Sequence, residues 1–146
     1  MGERSFMNQH YNQNYTKDQI FQVLLKIHRY VRIGKYLIAK NENRIENKNL
    51  ILKYNLTTKK QQRIIMQIKL DDFCHSVQNN KSGYEYEILY VFCPQITLYN
   101  LNDEQEQVDL YTKFNLIDSN SGSLVIVVSF HERKKPVNYL FRTKFD

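Results

Sequence analysis

Tryptophan is absent from the 146 residues, and cysteine, proline and glycine number only two, two and four. Two cysteines, Cys74 and Cys93, cannot build a disulfide scaffold, and no C-x-x-C pair exists to seed a zinc site. The four histidines (His10, His28, His75, His131) are scattered rather than spaced as ligands, so neither a metal nor another cofactor is expected. Scarce proline and glycine, with 42% hydrophobic and 25% charged residues, exclude a low-complexity or disordered chain. Long apolar runs are also missing. The longest aliphatic run, Leu124–Val128, falls far short of the ~20 residues a membrane span needs. Residues 1–14 lack the apolar stretch of a signal peptide. A cytoplasmic protein with reduced thiols is therefore expected, and the sequons at Asn14, Asn55 and Asn80 then carry no meaning.

What is present is a formal charge of +6 on a chain long enough for one core. That charge favours an acidic partner through long-range attraction, without choosing among nucleic acid, an acidic protein and an anionic surface. Residues 1–14 carry no period and are expected to be a frayed tail, leaving 15–146 as a single domain. Helix signals come first. Thr16 or Asp18 can cap a helix whose apolar stripe is Ile20, Val23, Leu24, Ile27 and Val31, with Gly34 to end it. Residues 36–39 (YLIA) read as an edge strand or connector, and 40–49 as a polar loop. Short helices are expected over 49–54 and 59–68. A last helical turn, capped by Asp71 or Asp72, is expected to hold Phe73, Cys74, His75 and Val77.

Beyond Gly83 the period changes to two. Residues 87–93 (EILYVFC), 108–117 and 123–130 (SLVIVVSF) read as strands, the last as a central strand covered on both faces. Residues 95–107 are ambiguous, and 134–146 read as an edge strand or a loosely packed tail. Helices followed by strands indicate an α+β domain with N-terminal helices packed on an antiparallel sheet of at least three strands.

Alternation places Tyr111 and Lys113 on one face of the second strand, and Ser129 and His131 on one face of the third. If the turn DSNSG (118–122) joins these strands symmetrically, Tyr111 lies opposite Ser129 with His131 one diagonal step away. A slip of one residue would separate them. Arg133 lies nearby. A hydroxyl, an imidazole and cations on one sheet face suit RNA phosphate chemistry, in which His moves a proton and cations stabilise the developing charge. Composition and spacing alone reach a basic α+β domain with a case for RNA binding, and no further.

At these same residues the stretch from Asn49 to Glu132 resembles the MqsR-type toxins of bacterial type II toxin–antitoxin systems. The matching pieces are NLILKYNLT (49–57), RIIMQIKLDDFCHS (63–76), LYVFCP (89–94), VDLYTKF (108–114) and LVIVVSFHE (124–132). The resemblance implies a RelE-like sheet and a metal-independent mRNA endoribonuclease held inactive by a cognate antitoxin, with no membrane association and no DNA contact of its own. It puts the family's functional tyrosine at Tyr111, the basic residue closing the "SF" strand at His131, and the basic residue after the "DF" pair at His75. Both basic positions follow a lysine pattern in the family and are His here, and His titrates near neutral pH where Lys does not. The expectation is catalysis by His131, Tyr111 and His75, with Lys113, Arg133 and Ser129 binding substrate. The alternative is a non-catalytic RNA- or protein-binding module that keeps the fold.

Overall fold

A computed structural model describes residues 11–40 and 44–142. It is α+β, with three α-helices and a mixed six-stranded sheet among the described residues. Helix α1 (Lys17–Arg32) starts at Thr16, whose hydroxyl accepts from the Gln19 amide while the Gln19 side chain accepts from the Thr16 amide. This reciprocal box satisfies two donors that a helix start leaves open. The helix buries Ile20, Leu24, Ile27 and Val31, the expected stripe. Gly34, at φ +82°, takes the left-handed turn that leads into β1 (Tyr36–Ile38).

Helix α2 (Ile45–Lys53) begins four residues earlier than the short helix read from the sequence, inside the stretch expected to be loop. Its buried Asn47 is the reason, and its role emerges below. Helix α3 (Thr58–Met66) is capped by Thr57. The last helical turn expected around His75 does not exist. Leu70–Asp72 forms one 3₁₀ turn, and the chain then extends as β2 (Phe73–Gln78). Burial decides this: Phe73, Cys74, His75 and Ser76 are all buried in one run, which a strand with covers on both faces can satisfy.

The remaining strands are β3 (Ile88–Phe92), β4 (Gln95–Tyr99), β5 (Gln105–Ser119) and β6 (Gly122–Glu132). The main order is β1-β6-β5-β3-β2, and β4 pairs with β5. All pairs are antiparallel except β1–β6, which is parallel. The expected antiparallel sheet of at least three strands is thus a mixed one: β1, the edge strand that the reading of 36–39 left open, runs parallel to β6. The ambiguous segment 95–107 supplies β4 and the start of β5, and the Tyr54 hydroxyl donates to Glu106 to tie this hairpin to α2.

One sheet face meets the helices and holds the main core, including Phe73, Phe92, Phe114, Val125, Val127 and Phe130. The other face carries a smaller cluster of Cys74, Val91 and Cys93, covered by Tyr111, Val137 and Tyr139. On β6 that second face is only half-buried at Leu124, Ile126 and Val128, so the strand is central without being fully covered on both sides.

The tail neither frays nor adds a strand within the described residues. The Leu140 amide donates to the Phe73 carbonyl, the Tyr139 hydroxyl donates to the Cys93 carbonyl, and Arg142 donates to the Asp71 carbonyl and the Asp72 carboxylate. At the other terminus, residues 11–14 of the expected frayed tail are pinned. Asn12 exchanges both backbone hydrogen bonds with Ser76 at 2.9 Å, and Gln13 donates to the Cys74 and Asn138 carbonyls. Residues 1–10 of that expected tail, and 143–146, lie outside the described residues. No described helix is long and apolar enough to cross a membrane.

Candidate functional site

The register between β5 and β6 decides which side chains meet. The hairpin turns at Asn120 and Ser121, pairing Ser119 with Gly122, one residue off the symmetric expectation. Left uncorrected, this offset would set Phe130 opposite Tyr111 and send His131 to the other face. A β-bulge at Val128 adds a second one-residue shift, so Tyr111 pairs directly with His131 and Lys113 with Ser129. The two rings lie nearly parallel, 22° apart, with centroids 5.4 Å apart.

Asn47 holds that bulge. Completely buried on α2, it accepts from the Phe130 amide at 2.7 Å and donates to the Val128 and Ala39 carbonyls at 3.0 and 2.8 Å. Asn47 thereby pairs backbone groups of β6 that lie beyond Val127, the last residue with a β1 partner. Nothing in the sequence marks Asn47, one of several asparagines in a polar stretch.

Across the sheet, His75 pairs with Val91, Val91 with Lys113, and Lys113 with Ser129, so these four form one row on the helix-free face. Above it opens a cleft of about 560 Å³. Its walls are Tyr11 and Gln13 from the N-terminal segment, His75, Tyr111 and His131 from the sheet, and residues 133–138 from the tail. The structure therefore brings together His75, Tyr111, His131 and Arg133. Lys113 borders this group, its Nζ standing 5.7 Å from the Tyr111 ring centre. Ser129 is buried beside Lys113 and does not line the cleft. Sequence reasoning missed the two terminal segments. Lys134 and Lys135 read from the sequence only as the start of an edge strand or loosely packed tail, and Tyr11 has no periodic context.

Each group's environment sets its chemistry. His131 Nδ1 donates to the carbonyl of Glu132 at 2.9 Å; a carbonyl only accepts, so this bond fixes the proton on Nδ1 and leaves Nε2 with a free lone pair when the ring is neutral. His75 is 8% exposed, and burial, helped by the Lys113 charge, pulls its pKa down to about 4. It is thus a neutral imidazole at pH 7, able to hydrogen-bond but not to bring a positive charge to a phosphate. The Tyr11 ring meets it edge-on at 4.6 Å, and its Nε2 is buried with no partner. The Arg133 Nε is also buried without a partner, although its other nitrogens reach Asp109 and the Lys135 carbonyl at 3.5 Å.

Each of these buried, unmade hydrogen bonds costs stability. Burial pushes the Tyr111 phenol well above its ordinary range, with the two nearby thiols adding to the effect, so it stays a donor. Burial and the Arg44 charge draw the Lys113 ammonium down.

No carboxylate is among the lining residues, but the Glu46 carboxylate pairs with the lining Lys134 and lies near enough to His131 for that imidazole, after Lys134, to help draw its pKa down. Among the described residues, no cluster of three or more His, Cys, Asp or Glu could hold a metal. Comparison of the chain with protein-family models, curated proteins and solved structures returns no match.

Proposed function

We propose that the cleft cleaves single-stranded RNA by attack of a ribose 2′-OH on the adjacent phosphate. The observation that carries this reading is His131 on the lining of a cleft edged by Arg133, Lys134 and Lys135, its Nδ1 committed to the Glu132 carbonyl so that Nε2 is left to accept a proton, beside a nearly parallel Tyr111 ring. In the proposed step Nε2 takes the 2′-OH proton and the 2′-oxygen bonds to phosphorus. The P–O5′ bond breaks, leaving a 2′,3′-cyclic phosphate. The leaving 5′-oxygen takes a proton from the Lys113 ammonium, which burial makes more acidic than a free lysine. Donors from Tyr111, neutral His75 and Arg133 stabilise the charge on the phosphorane oxygens.

Together with the residue pattern of the MqsR-type toxins, this chemistry makes an antitoxin-controlled mRNA endoribonuclease the best reading of the protein. Purified protein should cut single-stranded RNA equally with and without EDTA. Loss of a general base costs about 10²–10⁴-fold in rate, so His131→Ala should fall by that factor while still binding RNA. Undiminished cleavage by His131→Ala, or none by the wild type, removes the proposal.

A second reading, a module that binds RNA without cutting it, is favoured by one observation: burial strips His75 of its charge at neutral pH. In that case RNA is retained in a salt-dependent way and stays intact.

A further inference from the structure

The loop joining β2 to β3 displays two tyrosines that the cleft chemistry leaves unused. Tyr84 and Tyr86 are 43% and 75% exposed, and their rings lie 27° from parallel with centroids 6.5 Å apart. Lys81 stands 5.0 Å from the Tyr84 ring centre. The loop holds this display by its own bonds. The Tyr84 amide donates to the Lys81 carbonyl, the Glu87 amide to the Tyr84 carbonyl, and the Asn79 amide to the Glu87 carbonyl. The Glu85 carboxylate accepts from the Gly83 amide, and that of Glu87 from Asn79 and Asn115. Both loop carboxylates are therefore engaged, and the aromatic faces are presented already ordered, which lowers the entropic cost of binding.

Exposed rings side by side with a cation suit flat, unpaired nucleobases, which stack without regard to sequence. Position agrees with this. β2 carries His75 and runs straight into the loop, so at ~3.3 Å per residue the loop begins about 13 Å from the cleft. A short single strand spans that gap. We infer that Tyr84 and Tyr86 form a base-stacking subsite for the RNA strand whose phosphate occupies the cleft; this rests on the RNA reading above. The substrate is then an oligonucleotide gripped at two points, by charge and hydrogen bonds at the cleft and by stacking at the loop.

Those two grips differ in salt dependence, because stacking releases no counterions. The test uses 2′-O-methyl RNA, which binds but cannot be attacked through its 2′-oxygen, as a dodecamer and as a trimer. For Tyr84→Ala/Tyr86→Ala, the dodecamer should bind on the order of ten-fold more weakly with an unchanged salt slope. The trimer should bind as to wild type, which also reports an intact fold. Tyr84→Phe/Tyr86→Phe should restore dodecamer binding, since the ring and not the hydroxyl does the stacking. Unchanged dodecamer affinity in the alanine variant overturns the subsite while leaving the cleft reading in place. Failure of the wild type to bind either RNA overturns both.

Discussion

His75 shows how far a residue's surroundings can change what its type implies. On the surface it would titrate near neutrality. Buried between Tyr11 and Val91, beside the Lys113 ammonium, it is held neutral with a pKa of about 4. The unfolded chain therefore binds a proton on His75 between about pH 6.5 and 4 that the folded chain does not. The resulting contribution is fully present above pH 6.5 and is lost as pH falls towards 4, on the order of 3 kcal/mol for that shift. His28, lowered by burial on α1, acts in the same direction. Asp72, raised by burial, acts the opposite way at lower pH. Urea midpoints measured at about pH 7.5 and about pH 4.5 should fall sharply for wild type and much less for His75→Gln. Equal midpoints for the wild type at the two values would show that His75 is not a buried neutral imidazole.

At the scale of elements, the site depends on a contact between a helix and a strand defect. The Val128 bulge turns His131 towards Tyr111, and Asn47 of α2 pairs the backbone groups of β6 on either side of it. Asn47→Ala leaves the Phe130 amide and the Val128 and Ala39 carbonyls unpaired in a dry interior, at about 1–3 kcal/mol for each group stranded. Partial relaxation should hold the loss to roughly 3 kcal/mol, or about 10 °C in Tm for a domain of this size. On the proposed function, RNA cleavage should fall as well, although Asn47 does not line the cleft. Calorimetry and RNA cleavage on the same variant check both. A variant that keeps wild-type Tm and rate shows that the bulge holds itself.

Across the described residues, the cleft exists because segments 11–13 and 133–138 pack over the helix-free face of the sheet. Gln13 links them, bonding to Cys74 in β2 and to Asn138 in the tail. Arg142 fastens the tail through Asp71 and Asp72 and stacks 3.6 Å over the Tyr139 ring centre. Beneath lie two free, buried cysteines. The adjacent Cys93 thiol and burial hold Cys74 well above the usual thiol range. In the native protein both thiols should resist an aromatic disulfide reagent. Arg142→Ala should loosen the tail, raise amide exchange over residues 134–142 and speed thiol labelling at least several-fold. Unchanged labelling and exchange would show that the tail is held by Val137, Tyr139 and Leu140 without the arginine.

Local rules made much of this legible. The α1 stripe, its Thr16 cap and its Gly34 stop follow from a period of 3.6 and from backbone donors that need partners. Alternation put Tyr111 with Lys113 and Ser129 with His131 on shared faces, because strand side chains repeat every second residue. By itself the sequence thus determined the class of the fold and which residues share a face. It misread Phe73, Cys74, His75 and Val77 as a helical turn where β2 runs, since a strand buried on both sides has no alternation to show. Only the tertiary structure decided that His131 pairs with Tyr111, that His75 is neutral and that the termini wall the cleft. Register, burial and desolvation arise between segments distant along the chain, and no local pattern of residues encodes them.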